Sequence, residues 1–142
     1  MIPASLSETW AYFSDPHNLA FITPPKLAFK VTSDVADEMY EGMILTARVA
    51  PFLGIGLTWV TEITRVVPQK MFIDEQRLGP FKFWHHEHFF EERDSGVLMR
   101  DVVHYAVPFW PLGEIVHLLA VRGALDRIFA FRRQAVESIF GL

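Results

Sequence analysis

The chain has 142 residues, 51% of them apolar and 21% charged, which is the length of one domain with enough apolar material for a buried core. Its 13 basic and 17 acidic side chains leave a net charge of -4, excluding the basic footprint of a nucleic-acid binder. The absence of cysteine excludes a disulfide scaffold, a thiolate zinc site, an iron–sulfur cluster and a cysteine nucleophile. No apolar run approaches the ~18 residues of a membrane span, and the opening MIPASLSETW lacks a basic stretch. The expectation is therefore a cytoplasmic chain with no membrane insertion. Aromatic residues reach 14%, including 13 Phe and 4 Trp, which predicts either a bulky core or an aromatic-lined cavity.

Ser5 stands three residues before Glu8, the pattern of a capping box, and Trp10 and Phe13 follow at helical spacing. This predicts a short helix to about Ser14. Asp15-Pro16 then supplies an N-cap and a first-turn proline for a second short helix through Phe21, which Pro24-Pro25 ends. From Leu27 to Val107 the composition turns β-branched and aromatic, in stretches at 27–33, 43–51, 57–67, 70–77, 82–93 and 97–107. The gaps between them are short, which favours antiparallel hairpins. Residues 112–140 contain no proline, and Ile115, Leu118, Leu119, Leu125, Phe129, Val136 and Phe140 recur at three- and four-residue steps. They predict one amphipathic helix of about 43 Å. Gly123 interrupts it at a cost of about 1 kcal/mol.

Two small helices, about six antiparallel strands and a long last helix make the order of an α+β helix-grip domain spanning 1–142. The wording agrees. Ile2-Pro3-Ala4, Asp15-Pro16-His17-Asn18-Leu19, Thr23-Pro24, Met39-Tyr40-Glu41-Gly42, Trp59-Val60-Thr61-Glu62-Ile63, Phe72-Ile73-Asp74-Glu75-Gln76, Gly79-Pro80-Phe81, Trp84-His85-His86-Glu87-His88-Phe89-Phe90 and Asp101-Val102-Val103-His104-Tyr105 resemble the bacterial ligand-binding SRPBCC family, of the START-like, polyketide-cyclase-like superfamily. The resemblance implies a curved sheet wrapped around the last helix with a hydrophobic cavity between them. For most members of this subgroup it implies no assigned reaction. Such domains normally open with a full strand, whereas only Met1 and Ile2 precede Pro3. The expectation is a first strand missing or reduced to a stub, with the edges of 97–107 and 27–33 short of a partner and a homodimer as one consequence.

Strand alternation sorts the polar candidates. Trp84, His86, His88 and Phe90 share one face of 82–93; Met99, Asp101, Val103 and Tyr105 share the more apolar face of 97–107. Phe72, Asp74 and Gln76 share a face of the preceding strand, and Trp59, Thr61 and Ile63 one of 57–67. With the apolar faces turned to the helix, the cavity walls are Trp59, Phe72, Trp84, Phe90, Val103, Tyr105, Leu118 and Phe129, and Asp74, Gln76, His86, His88 and Asp101 form a polar patch among them. A buried patch of this kind must be paired. It serves as a structural network, as an anchor for a ligand's polar group, or, in an enzyme resembling polyketide cyclases or aromatases, as general acid/base groups supplied by His86, His88, Asp101 and Tyr105. His86 and His88 with Asp101 or Asp74 also have metal-ligand spacing, but hydrogen-bonded histidines and no cofactor are the expectation.

No dinucleotide loop, phosphate loop or Gly-x-Ser-x-Gly elbow occurs. The adjacent carboxylates Asp74-Glu75 and Glu91-Glu92 fall on opposite strand faces and make no acid/base couple. Arg122, Arg127, Arg132 and Arg133 interleave with acidic residues and are expected on a solvated helix face. The apolar loop Phe52–Leu57 is expected to be exposed, as a gate or an oligomer contact, or else to cover the cavity mouth. The reading is a domain that binds a small hydrophobic molecule of lipid, polyketide or aromatic type, with the enzyme and a regulatory or interaction module as alternatives.

Overall fold

Ser5 caps the first helix as its spacing requires: its hydroxyl accepts from the Glu8 amide while the Glu8 carboxylate accepts from the Ser5 amide. The computed structural model describes residues 1–109 and 111–141. Helix α1 covers Leu6–Ser14. Asp15 then caps a 3-10 helix at Pro16–Ile22 by accepting from the His17 amide, and a single 3-10 turn follows at Pro25–Leu27. That turn and the left-handed Ala28, at φ 48°, take the start of the stretch expected as the first strand. Only Lys30–Val31 remains extended, as β1.

Strands β2 (Ile44–Phe52), β3 (Ile55–Val67), β4 (Met71–Leu78), β5 (Phe83–Arg93) and β6 (Gly96–Ala106) follow. They form one antiparallel six-stranded sheet in the order β1-β2-β3-β4-β5-β6. Register shifts between Val49 and Phe52, Val60 and Thr61, and Ile63 and Arg65 mark bulges, which increase local twist and let the sheet curl. The expected N-terminal stub is present. Ile2 pairs with Val97 through two backbone hydrogen bonds of 2.8 Å, and both side chains are buried.

The helical stretch after the sheet comprises α2 (Leu112–Val116), a π-helical turn at His117–Val121 and α3 (Arg122–Phe140). The single regular helix expected over 112–140 is corrected in one respect: the π turn widens the spiral and shifts the phase of its apolar stripe. Leu125 and Val136 are buried, whereas Ile115 and Leu119 are exposed. The core joins Ile2, Trp10, Phe13, Ile22, Met39, Met43, Ile63, Phe72, Phe90, Val97 and Val136. Trp10 meets Phe72 and Phe90 edge-on, at 6.1 and 5.5 Å between centroids. A curved antiparallel sheet closed by short N-terminal helices and a long C-terminal helix is the helix-grip architecture.

Candidate functional site

Along β5 the burial alternates strictly, with Trp84, His86, His88 and Phe90 inside. Register then decides which carboxylates meet the histidines. Asp74 on β4 lies opposite His86, and Asp101 on β6 lies opposite His88, so the two imidazoles stand between two aspartates. Each ring reaches both. His88 approaches Asp74 Oδ2 through Nε2 at 2.6 Å and Asp101 Oδ1 through Nδ1 at 2.9 Å. His86 approaches Asp101 Oδ1 through Nε2 at 3.0 Å and Asp74 Oδ2 through Nδ1 at 3.4 Å. The imidazole centroids are 3.7 Å apart, and Phe72 stacks on the outer face of His88 at 4.0 Å.

The environment separates the two histidines. Burial pushes the His88 pKa down, but its hydrogen bonds to Asp101 and Asp74 and their charges outweigh burial, so its pKa is raised. With a carboxylate against each ring nitrogen, His88 is held as imidazolium, donating from both. Burial and the neighbouring His88 charge together hold the His86 pKa down, against the pull of the aspartates. His86 is the neutral partner, and the shorter of its two contacts assigns its proton to Nε2. Burial would raise both aspartates. For Asp101 it is overcome by the Arg132 charge and the two histidines, and for Asp74 by its interactions with the two histidines and Arg132, so both remain carboxylates with pKa values below the usual range.

Arg132 was expected on the solvated face and instead turns inward, with a side chain only 13% exposed. Its Nη2 lies 3.7 Å from Asp101 Oδ1 and 3.4 Å from His88 Nδ1, and its guanidinium sits 5.7 Å from the centre of the Phe13 ring. The signal was in the spacing, since residue 132 falls at helical steps from Phe129, which lines the cavity, and Val136, in the core. The other expected separations of charge hold. Glu75 leaves the cluster for His85 Nδ1, at 2.9 Å, and Glu91 pairs with Arg93.

Above this cluster lies a cavity of about 190 Å3. Trp59, Phe72, Asp74, Trp84, His86, His88 and Phe129 line it, all of them sequence candidates. So do Phe13, Leu19 and Ile22 from the N-terminal helices, Leu45, Ala47 and Val49 from β2, Thr61 and Ile63 from β3, and Ile128 and Arg132 from α3. The β2 contribution was missed, although Leu45, Ala47 and Val49 alternate in burial as period-two text predicts. Trp59 and Trp84 meet edge-on at 5.5 Å, and Phe129 meets the His86 ring edge-on at 5.7 Å.

The remaining candidates lie elsewhere. Gln76 clamps the turn after β4: its Nε2 donates to the Phe81 carbonyl at 2.7 Å, and the Phe81 amide donates to its Oε1 at 3.1 Å. Phe90 belongs to the core beside Trp10 and Phe13. Tyr105 packs on Phe81 and Trp84. Val103 is half-buried opposite His86. Asp101 stands behind the histidines and is not among the cavity-lining residues. The Leu118 side chain lies outside the described residues.

Asp74, His86 and His88 each offer one ligand atom within 4.8 Å of the others, the geometry of a three-donor cation site. The chemistry of the donors fits poorly. His88 would have to release a proton held between two carboxylates, with the Arg132 guanidinium adding positive charge beside it.

Structures similar to this chain show the fold. A protein from Mycobacterium smegmatis, Ms6760, superposes with a TM-score of 0.69 at 19% identity, over 97% of this chain and 85% of its own. Protein CV1439 from Chromobacterium violaceum gives 0.68 at 14% identity, over 98% and 91%. Ara h 8.0201 gives 0.59 at 12% identity, over 96% and 93%. No curated protein matches in sequence. No helix among the described residues is long and apolar enough to cross a membrane. Because the model of one family, described as polyketide cyclase / dehydrase and lipid transport, matches residues 2–131, covering the N-terminal helices, the whole sheet and the helix that carries Phe129, this chain belongs to that family.

Proposed function

We propose that residues 1–142 form one unit that binds a small hydrophobic molecule in the cavity between the sheet and α3, with a polar group of the ligand directed at Asp74 and His86. The observation that carries this reading is the cavity itself, walled by Trp59, Phe72, Trp84 and Phe129, with its charged lining gathered where Asp74, His86, His88 and Arg132 meet. At about 190 Å3 it exceeds the roughly 150 Å3 that accommodates benzene and falls below the ~300 Å3 at which drug-sized pockets begin. The size favours a single ring or a short aliphatic body over a long lipid or a fused polyketide. Neutral His86 and ionised Asp74 suit a ligand hydroxyl, which donates to the carboxylate. The cytoplasm is the compartment proposed.

Native mass spectrometry of the purified protein, followed by titration with phenol and para-alkyl phenols read through tryptophan fluorescence, tests this. Saturable quenching that is abolished by Ala47→Trp, which fills the cavity, is the expected result. The absence of any bound mass together with no saturable response to the phenols would refute it.

One observation supports an enzyme as the second reading. The Nδ1 of neutral His86 is unprotonated and belongs to a cavity-lining ring, so it could accept a proton from a carbonyl-bearing substrate, with Asp101 orienting the ring through Nε2. In that reading His86 is the base and His88 an electrostatic stabiliser. A bell-shaped pH–rate profile lost in His86→Gln would distinguish turnover from binding.

A further inference from the structure

A second cavity, of about 350 Å3, opens between the 3-10 turn at Pro25–Leu27, the end of β2 at Pro51 and the outer side of α3. It shares Leu27 and Ile128 with the inner cavity, so these two half-buried side chains form the partition between the chambers. Its floor is apolar, with Leu27, Ile128 and Phe131, and its lip is stiffened by Pro24, Pro25 and Pro51. The charged residues among its lining are Lys26 and Arg127, both cations. Both are exposed, and neither has an ion-pair partner among the described residues.

The inner chamber has the opposite character. Its positive groups, Arg132 and His88, are already matched by Asp101 and Asp74. A carboxylate carried into it would meet the Asp74 charge and lose its water without an unpaired cation to compensate. An uncharged body, a hydroxyl included, is favoured inside, and an anionic head is favoured outside, between Lys26 and Arg127.

Resting on the cavity reading above and narrowing it, we infer that the ligand is a small amphipathic carboxylate: a ring-sized or short-chain apolar body in the inner cavity and a carboxylate held in the outer cleft by Lys26 and Arg127. Leu27 and Ile128 pack around the linker between the two ends. Because both cations are solvated, the attraction is screened by salt and governs orientation and capture more than total affinity.

The test uses the whole chain and a set of phenylalkanoates with two to six carbons in the acid chain, each beside its shape-matched primary amide, titrated by calorimetry at low and high salt. The expected result is an acid bound about tenfold more tightly than its amide at low salt, with the advantage shrinking as salt rises, and an optimum chain length that spans the partition. In Lys26→Glu/Arg127→Glu the acid loses its advantage while the melting temperature stays within about a degree, since both side chains are exposed. Acid and amide binding equally to the wild type, or an acid preference that survives in the double variant, would overturn the inference and leave the cavity reading standing. Binding of neither series would overturn the inference, while the phenol titration decides the cavity reading separately.

Discussion

Arg132 on α3 places its Nη2 3.7 Å from Oδ1 of Asp101 on β6, and the same oxygen receives Nε2 of His86 at 3.0 Å and Nδ1 of His88 at 2.9 Å. One carboxylate oxygen thereby ties the last helix to two adjacent strands. Asp101 does this from behind the histidines, whereas Asp74 lines the cavity. The two aspartates should therefore respond differently to the same substitution. Asp101→Asn removes the charge that orients three donors and should lower stability by about 2–4 kcal/mol, with a smaller change in affinity for a bound phenol. Asp74→Asn should weaken phenol binding more than it weakens the fold. Denaturant unfolding and fluorescence titration of both variants check the ordering; a stable Asp101→Asn that has lost binding would make Asp101 the anchor instead.

The cluster also predicts opposing pH responses. His86 has a folded pKa below its ordinary 6.5, so as pH falls below that value the unfolded chain gains a proton that the folded chain refuses, and stability is lost. His88 has a folded pKa above 6.5; its contribution is complete below that value and is lost as pH rises through the folded pKa. Asp74 and Asp101, both lowered from 3.8, stabilise above that value and cease to do so as pH falls through their folded pKa values. The stability deficit of His88→Gln relative to wild type should be widest near about pH 5.5 and narrow toward about pH 9, measured by chemical denaturation at fixed ionic strength. A deficit that is flat across that range would show that His88 is not imidazolium in the fold.

How far the sequence could be read depended on whether the feature was local. The Ser5–Glu8 capping box, the Asp15 cap and the period-two face of β5 are set by neighbours within a few residues, and each appears in the structure where its spacing placed it. Alternation also put Gln76 on the face of Asp74, but it could not show that Gln76 stands next to the turn, where the Phe81 backbone takes up both ends of its amide. The stretch 27–33 had strand composition, yet a 3-10 turn and the left-handed Ala28 took its first two residues, and only Lys30–Val31 pairs as strand. Arg132 was misplaced because a charge was read as a marker of solvent, while its position on the buried stripe was the stronger indication. Ile115 and Leu119, on the expected apolar stripe, are exposed before and within a π turn, whose extra residue no hydropathy pattern announces.

Gly96 should be intolerant of a side chain. Its φ is +132°, and a Cβ there would meet the Ile2 carbonyl oxygen at 2.1 Å. The same backbone carries the Ile2–Val97 bridge that closes the sheet edge. Gly96→Ala combines left-handed strain with loss of two hydrogen bonds and should cost about 2–4 kcal/mol. Hydrogen exchange at the Ile2 and Val97 amides should accelerate well before that of β4 amides. Unaltered protection at those two amides would show that the N-terminal stub does not depend on the glycine.

The β2–β3 hairpin offers a stabilising change. Phe52 pairs with Ile55, leaving Leu53-Gly54 as a two-residue connection with φ of +49° and +72°, the pattern of a type I′ turn. That turn favours Asn-Gly, because a leucine in the left-handed region is strained and an asparagine tolerates it. Leu53 is 99% exposed, so its side chain contributes no burial within the chain to offset the strain. Leu53→Asn should raise stability by roughly 0.5–1.5 kcal/mol, read as a rise of several degrees in melting temperature that is independent of protein concentration. Gly54→Ala should move it the other way, although nothing lies within 4 Å of the added carbon, because the cost is conformational. A concentration-dependent fall in melting temperature for Leu53→Asn would mean that the leucine is covered by a second copy of the chain, and that its exposure in the monomer is the mark of a homodimer contact.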